Sequence, residues 1–213
     1  ACKRLWNNVT SKRMYITGGV GSSGYAESFT FDYDLPGDTA YTETCAAIGL
    51  VLWSRRMLNL ELNSEYADVM EKALYNGVLS GISRDGEKYF YVNPLEVWPE
   101  ACNKRYDKKH VKTSRQEWFG CACCPPNIAR LMASIGNYIY SQSESGIFIN
   151  LYAAGEVAVD LGDNRIKLIQ ETDYPWEGKI NITVNPESKE KFTLGFRQPG
   201  WAETAAVKVN QKK

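Results

Sequence analysis

The spacing of apolar residues changes along this chain and divides it into two parts. Before residue 145, apolar positions recur every three or four residues, which is typical of helices that bury one face. After Gly146 they alternate with polar positions, which is typical of strands. The pattern therefore predicts an α+β protein of two domains, a helical one over residues 1–145 and a β-domain over residues 146–213.

Four helices are predicted in the first part. Residues 1–13 carry apolar positions on one face, and residues 39–62 are apolar nearly all round, which favours a buried helix. Asn63 or Ser64 can cap the third helix, and the fourth covers residues 127–140. Between the third and fourth helices, the sequence predicts a strand at 88–92 and a long irregular segment at 96–117.

Six short strand-like segments are predicted in the second part. Turn signals such as Gly162-Asp163-Asn164 and Pro199-Gly200 separate them. Strands of this length and spacing are typical of an antiparallel β-sandwich. The segments cover residues 147–152, 157–161, 165–171, 179–184, 191–197 and 206–209.

Composition narrows the function classes. Of the 213 residues, 44% are hydrophobic and 23% are charged, and 25 basic residues balance 25 acidic ones. A zero net charge gives no reason to expect a nucleic acid or an anionic membrane as partner. No apolar run approaches the roughly 18–20 residues of a membrane span. We therefore expect neither a nucleic-acid partner nor a membrane.

The two ends of the sequence suggest a piece of a longer protein. The chain starts at Ala1, without a methionine and inside a helical pattern, and it stops just after a strand-like run. A helical domain that lacks its first helices would expose apolar surface. Self-association into a homo-oligomer is therefore an expectation of the sequence.

The six cysteines show none of the spacing of a small disulfide-rich secreted domain. The neighbours Cys123 and Cys124 are poorly placed to bond to each other, because that ring is strained. Reduced thiols are the better interpretation, and they favour a cytoplasmic location.

The cysteine-rich run Cys121-Ala122-Cys123-Cys124 is followed by two prolines and an apolar-periodic segment. Proline is tolerated in the first turn of a helix, so Cys123 and Cys124 are expected just before a helix N-terminus. The partial positive charge there favours thiolates. Two adjacent thiolates repel each other unless a cation lies between them, which indicates a metal site or a reactive cysteine.

Two further segments carry groups that could complete such a site. Glu43 and Cys45 lie two residues apart, and Glu27 lies in a glycine-flanked loop. One carboxylate and three sulfurs can fill a tetrahedral zinc shell. Spacing alone leaves the alternative of buried structural cysteines open, because Glu-x-Cys with Cys-Cys is not a standard zinc finger or ribbon.

Four long motifs, in order along the chain, resemble one known family. With them the chain is similar, over essentially its whole length, to the β-L-arabinofuranosidases of glycoside hydrolase family 127. The motifs are Tyr15-Ile16-Thr17-Gly18-Gly19-Val20-Gly21-Ser22, Ala26-Glu27-Ser28-Phe29, Tyr41-Thr42-Glu43-Thr44-Cys45-Ala46-Ala47-Ile48-Gly49-Leu50 and Cys121-Ala122-Cys123-Cys124-Pro125-Pro126-Asn127-Ile128-Ala129-Arg130.

The resemblance implies a fold and a set of site residues. Residues 1–145 would be the C-terminal part of an (α/α)6 catalytic barrel, and residues 146–213 most of a β-sandwich domain. By position, Glu43, Cys45, Cys123 and Cys124 match the family's zinc ligands. Cys123 matches the nucleophile and Glu27 the general acid/base of a retaining hydrolase, in which the two lie roughly 5–5.5 Å apart across the scissile bond. The implied partner is a carbohydrate, an arabinofuranoside or a related glycan.

The chain departs from the family pattern at Tyr25, where a glycine often precedes the Ala-Glu pair; this concerns the fit of the substrate more than the acid role. The absent barrel helices would carry further sugar-binding groups, so this piece alone is expected to be inactive.

Two other classes of function stay open, a non-catalytic carbohydrate-binding module and a zinc-stabilised structural domain. Of the remaining candidates, His110 is expected at the surface and Cys121 in packing, while Tyr15, Trp98 and Trp118 could line a sugar site or a core.

Overall fold

A computed structural model describes residues 1–210 of the protein. These residues form two compact units, the first made of Ala1–Met57 and Val69–Ala133, the second of Leu58–Asp68 and the described chain from Ser134 onward. Helices precede strands along the chain, which confirms the α+β class. The division predicted at residue 145 stays a prediction.

Local signals place the start of one helix correctly, and tertiary contacts shift that of another. Asn63 accepts a hydrogen bond from the backbone N–H of Glu65 at 3.0 Å, so it caps the third helix as predicted. The second helix begins at Thr44 and not at residue 39, because the residues before it make extended contacts with a distant segment. The helices are α1 (Cys2–Lys12), α2 (Thr44–Leu60), α3 (Ser64–Ala73), α4 (Pro99–Cys102), α5 (Cys124–Ala133) and α6 (Gly136–Ile139).

Helix α2 is only partly buried, in contrast to the expectation from its composition. Its inner face is fully buried at Ile48 and Val51, while Arg56 and Leu60 are exposed. In the first unit, Trp6 of α1 packs edge-on against Trp53 of α2, with ring centroids 5.1 Å apart. These contacts fix the N-terminal half of α2, which matters because that end carries two of the candidate metal ligands.

A glycine loop between α1 and α2 approaches the backbone of α3. Gly18 has φ +82°, and a Cβ atom built there would lie 2.8 Å from the backbone nitrogen of Ala73. Gly21 has a similar φ of +90°, but a Cβ atom there would meet nothing within 4 Å. A side chain at either position would strain the backbone, but only a side chain at Gly18 would also clash with a neighbouring segment.

Replacing Gly18 with alanine is expected to lower the free energy of unfolding by about 2–4 kcal/mol, because strain and a backbone clash act together. The matched change Gly21→Ala adds strain alone and is expected to cost about 1–2 kcal/mol. Urea or thermal unfolding of the two variants of the full-length protein measures the difference. Equal losses of unfolding free energy in the two variants would show that α3 can move away from residue 18 at little cost.

The second unit contains two three-stranded sheets, with strand orders β1-β2-β6 and β3-β4-β5. One core joins residues of both sheets, with Ile147 and Leu194 from the first sheet and Ile166, Leu168 and Val159 from the second. The strands are β1 (Tyr140–Ser143), β2 (Gly146–Ile149), β3 (Gly155–Leu161), β4 (Asn164–Thr172), β5 (Ile180–Pro186) and β6 (Thr193–Phe196).

The strand pairing differs from the antiparallel expectation at one pair. Neighbouring strands pair antiparallel in β1/β2, β3/β4 and β4/β5, but β2 and β6 pair in parallel. The chain leaves β2, builds the whole second sheet and returns to β6. Such a long crossover allows parallel pairing, which a two-residue hairpin would not.

Three local predictions are wrong. Residues 206–209 are exposed and form no regular strand in the described chain. Residues 88–92 contribute single bridges and not a continuous strand. The helix predicted at 127–140 ends at Ala133, is followed by the short α6, and gives way to β1 at Tyr140. Among residues 1–210, each helix is too short or too polar to cross a membrane.

Candidate active site

The N-terminus of α2 carries two of the predicted site residues, in the first unit. Glu43 immediately precedes the helix, and its carbonyl oxygen accepts hydrogen bonds from the N–H groups of Ala46 and Ala47 at 3.0 and 3.1 Å. Cys45 lies two residues further along, at the second helical residue. Both side chains therefore lie at the positive end of the helix dipole, which favours negatively charged groups.

The N-terminus of α5 carries the other two sulfurs. Cys123 immediately precedes the helix, its carbonyl oxygen accepts a hydrogen bond from Asn127 N–H at 3.3 Å, and Cys124 is the first helical residue. The two prolines that follow occupy the first turn, where no N–H partner is needed. Cys123 lies just before the helix as predicted, whereas Cys124 is already part of it. This second positive helix end favours thiolates here.

Single bridges outside regular strands hold the α2 end in place. Glu43 pairs with Val92, and the N–H of Thr44 donates to the carbonyl of Tyr91 at 3.0 Å. The side-chain amide of Asn93 donates to Thr44 Oγ1 at 3.0 Å. These contacts join residues about fifty positions apart along the chain, and they fix the backbone from which the Glu43 side chain extends.

Glu43, Cys45, Cys123 and Cys124 converge on one point. One ligand atom from each lies within 4.8 Å of the others. The Cys124 sulfur is 3.8 Å from the sulfurs of Cys45 and Cys123, and Cys123 Sγ is 3.3 Å from Glu43 Oε1. In the described part of the chain, this is the group of acidic, thiol and imidazole side chains that could hold a metal ion.

The spacing of these atoms fits a tetrahedral zinc ion. With zinc–sulfur bonds near ~2.3 Å, the sulfur–sulfur edges of a tetrahedron are roughly 3.8 Å. Both sulfur–sulfur distances from Cys124 have that value, 3.8 Å. The donor set, three soft sulfurs and one carboxylate oxygen, suits zinc better than magnesium or calcium. The residues therefore fit the metal that the sequence predicts.

The electrostatics of the cluster also favour a cation. Burial raises the pKa of Glu43 to about 7 and that of Cys123 to about 12. The hydrogen bond between Cys45 and Cys124 lowers the pKa of Cys45 to about 5 and raises the pKa of Cys124. Four acidic groups this close cannot all lose their protons unless a positive charge compensates them.

Asn127 supports the cluster from α5. Its side chain hydrogen-bonds Cys45 and thereby contributes to the low pKa of that thiol. Its Oδ1 accepts a hydrogen bond from Arg130 one turn later, which leaves the amide group directed to the sulfur. Sequence analysis quoted Asn127 within a motif but assigned it no role.

Glu27 lies at the tip of a separate tight loop. Ser23 and Ser28 exchange two backbone hydrogen bonds of 3.2 Å, and the turn between them places Glu27 at φ +50° with its side chain exposed. Its carboxylate accepts a hydrogen bond from Tyr41 Oη at 2.9 Å. Burial raises the pKa of Glu43 most, and the nearby charge of Glu27 adds to that rise.

Two tyrosines that the sequence analysis missed lie between Glu27 and the cluster. The rings of Tyr41 and Tyr91 meet edge to face, with centroids 6.2 Å apart, and Tyr91 Oη is 3.2 Å from Cys123 Sγ. Burial raises the pKa of both tyrosines, so both hydroxyls keep their protons. Tyr41 stands two residues before Glu43, which is the one signal that could have drawn attention to it.

The other residues that the sequence singled out lie outside the four-residue metal cluster. His110 is half-buried against Tyr41, with ring centroids 5.6 Å apart, where a surface residue was expected. Cys121 is exposed and lies outside the cluster, so its predicted packing role is wrong for this chain. Tyr15 is a core residue that donates to Pro36 O at 3.2 Å, while Trp98 and Trp118 are exposed. All six cysteines are free.

Comparison with known sequences identifies related proteins. The description "Beta-L-arabinofuranosidase, GH127 catalytic domain" matches residues 1–137, and "Beta-L-arabinofuranosidase, GH127 middle domain" matches residues 146–213. A non-reducing end beta-L-arabinofuranosidase of Bifidobacterium longum subsp. longum is 44% identical over 99% of this chain.

Solved structures agree with the sequence comparison. A GH127 beta-L-arabinofuranosidase from Geobacillus stearothermophilus T6 is 60% identical over 99% of this chain, with a TM-score of 0.96. A second solved GH127 beta-arabinofuranosidase is 40% identical over 94% of the chain, with a TM-score of 0.84.

The chain spans about a third of these relatives, namely 32% of the Bifidobacterium protein, 33% of the Geobacillus chain and 30% of the second solved structure. Within that third, both family descriptions, the order of the motifs and the backbone agree. The chain therefore belongs to glycoside hydrolase family 127.

Proposed function

We propose that this chain carries the catalytic centre of a retaining glycoside hydrolase that cleaves β-L-arabinofuranosides. Cys123 is the nucleophile and Glu27 the general acid/base. Glu43, Cys45, Cys123 and Cys124 hold a zinc ion. The partner is the non-reducing end of a carbohydrate chain, the class of substrate named for the related Bifidobacterium protein.

One observation carries this proposal. Two helix N-termini, about eighty residues apart in sequence, place a carboxylate and three sulfurs within 4.8 Å of one another. A structural cysteine cluster would be enclosed on all sides, yet Cys123 is only half-buried. The exposed carboxylate of Glu27 accepts a hydrogen bond from Tyr41. The ring of Tyr41 packs against that of Tyr91, whose hydroxyl contacts Cys123. A nucleophile and a proton donor are therefore available to one substrate.

In the first half of the reaction, Cys123 Sγ attacks the anomeric carbon of the arabinosyl unit. A carbon–sulfur bond forms while the bond to the leaving oxygen breaks, and Glu27 gives its proton to that oxygen. The sugar is then attached to Cys123 as a thioglycoside, with inversion at the anomeric carbon.

In the second half, water attacks the same carbon from the side that the leaving group vacated. Glu27, now a carboxylate, accepts the water proton, and the electron pair of the carbon–sulfur bond returns to Cys123. When bound, the zinc ion supplies the positive charge that stabilises the thiolates of its ligands. Two inversions restore the original anomeric configuration, which makes the hydrolase a retaining one.

The architecture belongs to the same proposal. Residues 1–145 form the C-terminal part of an (α/α)6 barrel, and residues 146–213 form a β-sandwich. The β-sandwich is supported by the hydrophobic core that the two sheets share. Further sugar-binding groups come from barrel helices outside this chain, so the 213 residues alone are inactive. A cytoplasmic location and homo-oligomer formation stay predictions of the sequence.

The stereochemistry of the first product tests this function. Proton NMR of the full-length protein acting on 4-nitrophenyl β-L-arabinofuranoside is expected to show the β anomer of L-arabinofuranose first, with the α anomer following by mutarotation. The α-linked substrate, run in parallel, is expected to stay intact, because its leaving oxygen would lie on the side of the anomeric carbon from which Cys123 attacks and away from Glu27.

Other outcomes decide between the classes of function. An α anomer as first product would rule out the covalent route through Cys123. Binding of arabinofuranosides without hydrolysis, by a protein that contains zinc, would favour a carbohydrate-binding module. Hydrolysis by the 213-residue chain alone would contradict the expectation that other barrel helices complete the sugar site.

A further inference from the structure

We propose that Tyr41 is the positioning residue of the acid/base Glu27: its hydroxyl donates to Oε1 and leaves Oε2 as the oxygen that transfers the proton. This inference rests on the proposed role of Glu27. It adds to that role a residue from a different segment, fourteen positions later in the chain, that controls the orientation of the carboxyl group.

Glu27 needs such a partner because its own loop does little to orient it. The loop is a tight turn in which Ala26 and Glu27 both have positive φ, +52° and +50°. The Glu27 side chain is exposed. Among the hydrogen bonds of the described residues, the one that its carboxylate accepts comes from Tyr41, at 2.9 Å.

Tyr41, in contrast, is fixed on several sides. Its ring contacts His110 and Tyr91, with centroid distances of 5.6 and 6.2 Å. Its carbonyl oxygen accepts a hydrogen bond from Asn93 N–H at 3.3 Å. On the loop side, Gly24 leaves room for this pair of rings, because a Cβ atom there would lie 3.3 Å from Tyr41 Cδ2 and 3.4 Å from His110 Nδ1.

The geometry has a chemical consequence for proton transfer. A tyrosine hydroxyl that donates to Oε1 occupies that oxygen, so the acidic proton of Glu27 resides on Oε2. A fixed donor therefore sets which oxygen faces the leaving group, and it removes the rotational freedom that an exposed carboxyl group otherwise has. The same bond orients the carboxylate when it accepts the proton of water.

The test compares leaving groups in the full-length, zinc-loaded protein. A 4-nitrophenolate leaves without much protonation, whereas an alkyl alcohol needs the acid. Tyr41→Phe is expected to lower kcat/KM for an alkyl β-L-arabinofuranoside by about 10–100-fold and for the 4-nitrophenyl compound by less than about 3-fold. Because the readout is a ratio within one preparation, a partly folded or partly loaded sample does not alter it.

A double-mutant cycle separates positioning from structure. In the Glu27→Ala background, adding Tyr41→Phe is expected to change kcat/KM by less than about 2-fold, because the group on which Tyr41 acts is gone. The matched variant Tyr91→Phe removes the neighbouring hydroxyl, which contacts Cys123 and not Glu27. Its effect is expected to be equal for both leaving groups.

The outcomes distinguish this inference from the function on which it rests. If Glu27→Ala shows no dependence on the leaving group, the acid role of Glu27 fails, and the inference with it. If Glu27→Ala shows that dependence but Tyr41→Phe lowers both substrates equally, or neither, only the role of Tyr41 is wrong. Complete loss of activity in Tyr41→Phe on both substrates counts as an equal loss.

Discussion

Replacing Cys123 with serine in the full-length protein is expected to lower kcat/KM on the order of 10³–10⁵-fold, for activated and unactivated substrates alike. The sulfur lies 3.3 Å from Glu43 and 3.2 Å from the hydroxyl of Tyr91. A serine hydroxyl in that position stays protonated, because an alcohol is a far weaker acid than a thiol and the nearby Glu43 carboxylate would be engaged as a zinc ligand. Steady-state kinetics, normalised to bound zinc, measure the loss, and undiminished turnover would remove Cys123 from the nucleophile role.

The matched control is Cys121→Ser, two residues earlier in the same segment. Cys121 is exposed and outside the metal cluster, so this variant is expected to keep its zinc and to retain activity within about 3-fold. A substrate analogue with a slow second step adds a direct readout, because mass spectrometry of the labelled peptide locates the sugar. We expect it on Cys123, and a label on Cys121 or Cys124 would assign the nucleophile elsewhere.

The sequence could predict the donor atoms of the site but not the contacts that bring them together. The residue types and the two helix starts follow from local signals, namely the spacing of Glu43 and Cys45 and the proline pair after Cys124. Convergence depends on single bridges such as Glu43 with Val92 and Tyr89 with Gln116. Isolated bridges have no periodicity, so only the resemblance to a family could pair these segments in advance.

The same limit explains the missed tyrosines and the errors in the fold. An aromatic residue in an irregular segment, such as Tyr91, gives the same signal whether it packs in a core or contacts a nucleophile. The predicted helix extends to Tyr140 because Ile139 and Tyr140 continue an apolar run, whereas pairing with β2 makes Tyr140 the first residue of a strand. In that case, pairing with a neighbouring strand determined the backbone conformation more than the local sequence pattern did.

Taken together, the site depends on two helix ends more than on any loop. Helices α2 and α5 carry all four candidate ligands within their first turns or just before them. Rigid elements hold ligand atoms more accurately than loops do. Glu27, by contrast, is on a loop, which is where an additional contact such as that of Tyr41 has the greatest effect.

Replacing Cys124 with alanine is therefore expected to abolish stoichiometric zinc, with an affinity loss on the order of 10³-fold or more. Cys124 is fully buried, and its sulfur lies 3.8 Å from the sulfurs of both Cys45 and Cys123. Its loss opens the tetrahedron and leaves Cys45 and Cys123 without a shared cation. Metal analysis after dialysis, together with competition against a chelator of known affinity, measures the change.

Cys102→Ala provides the matched control, because Cys102 is also a buried free thiol in the first unit but donates to Trp98 O and lies outside the cluster. That variant is expected to keep one zinc per chain and to lose only the roughly 1 kcal/mol of a small cavity. If Cys124→Ala retained zinc as firmly as Cys102→Ala does, the four-ligand centre would be wrong. The thiolate chemistry assigned to Cys123 would then lack the cation that makes it accessible at neutral pH.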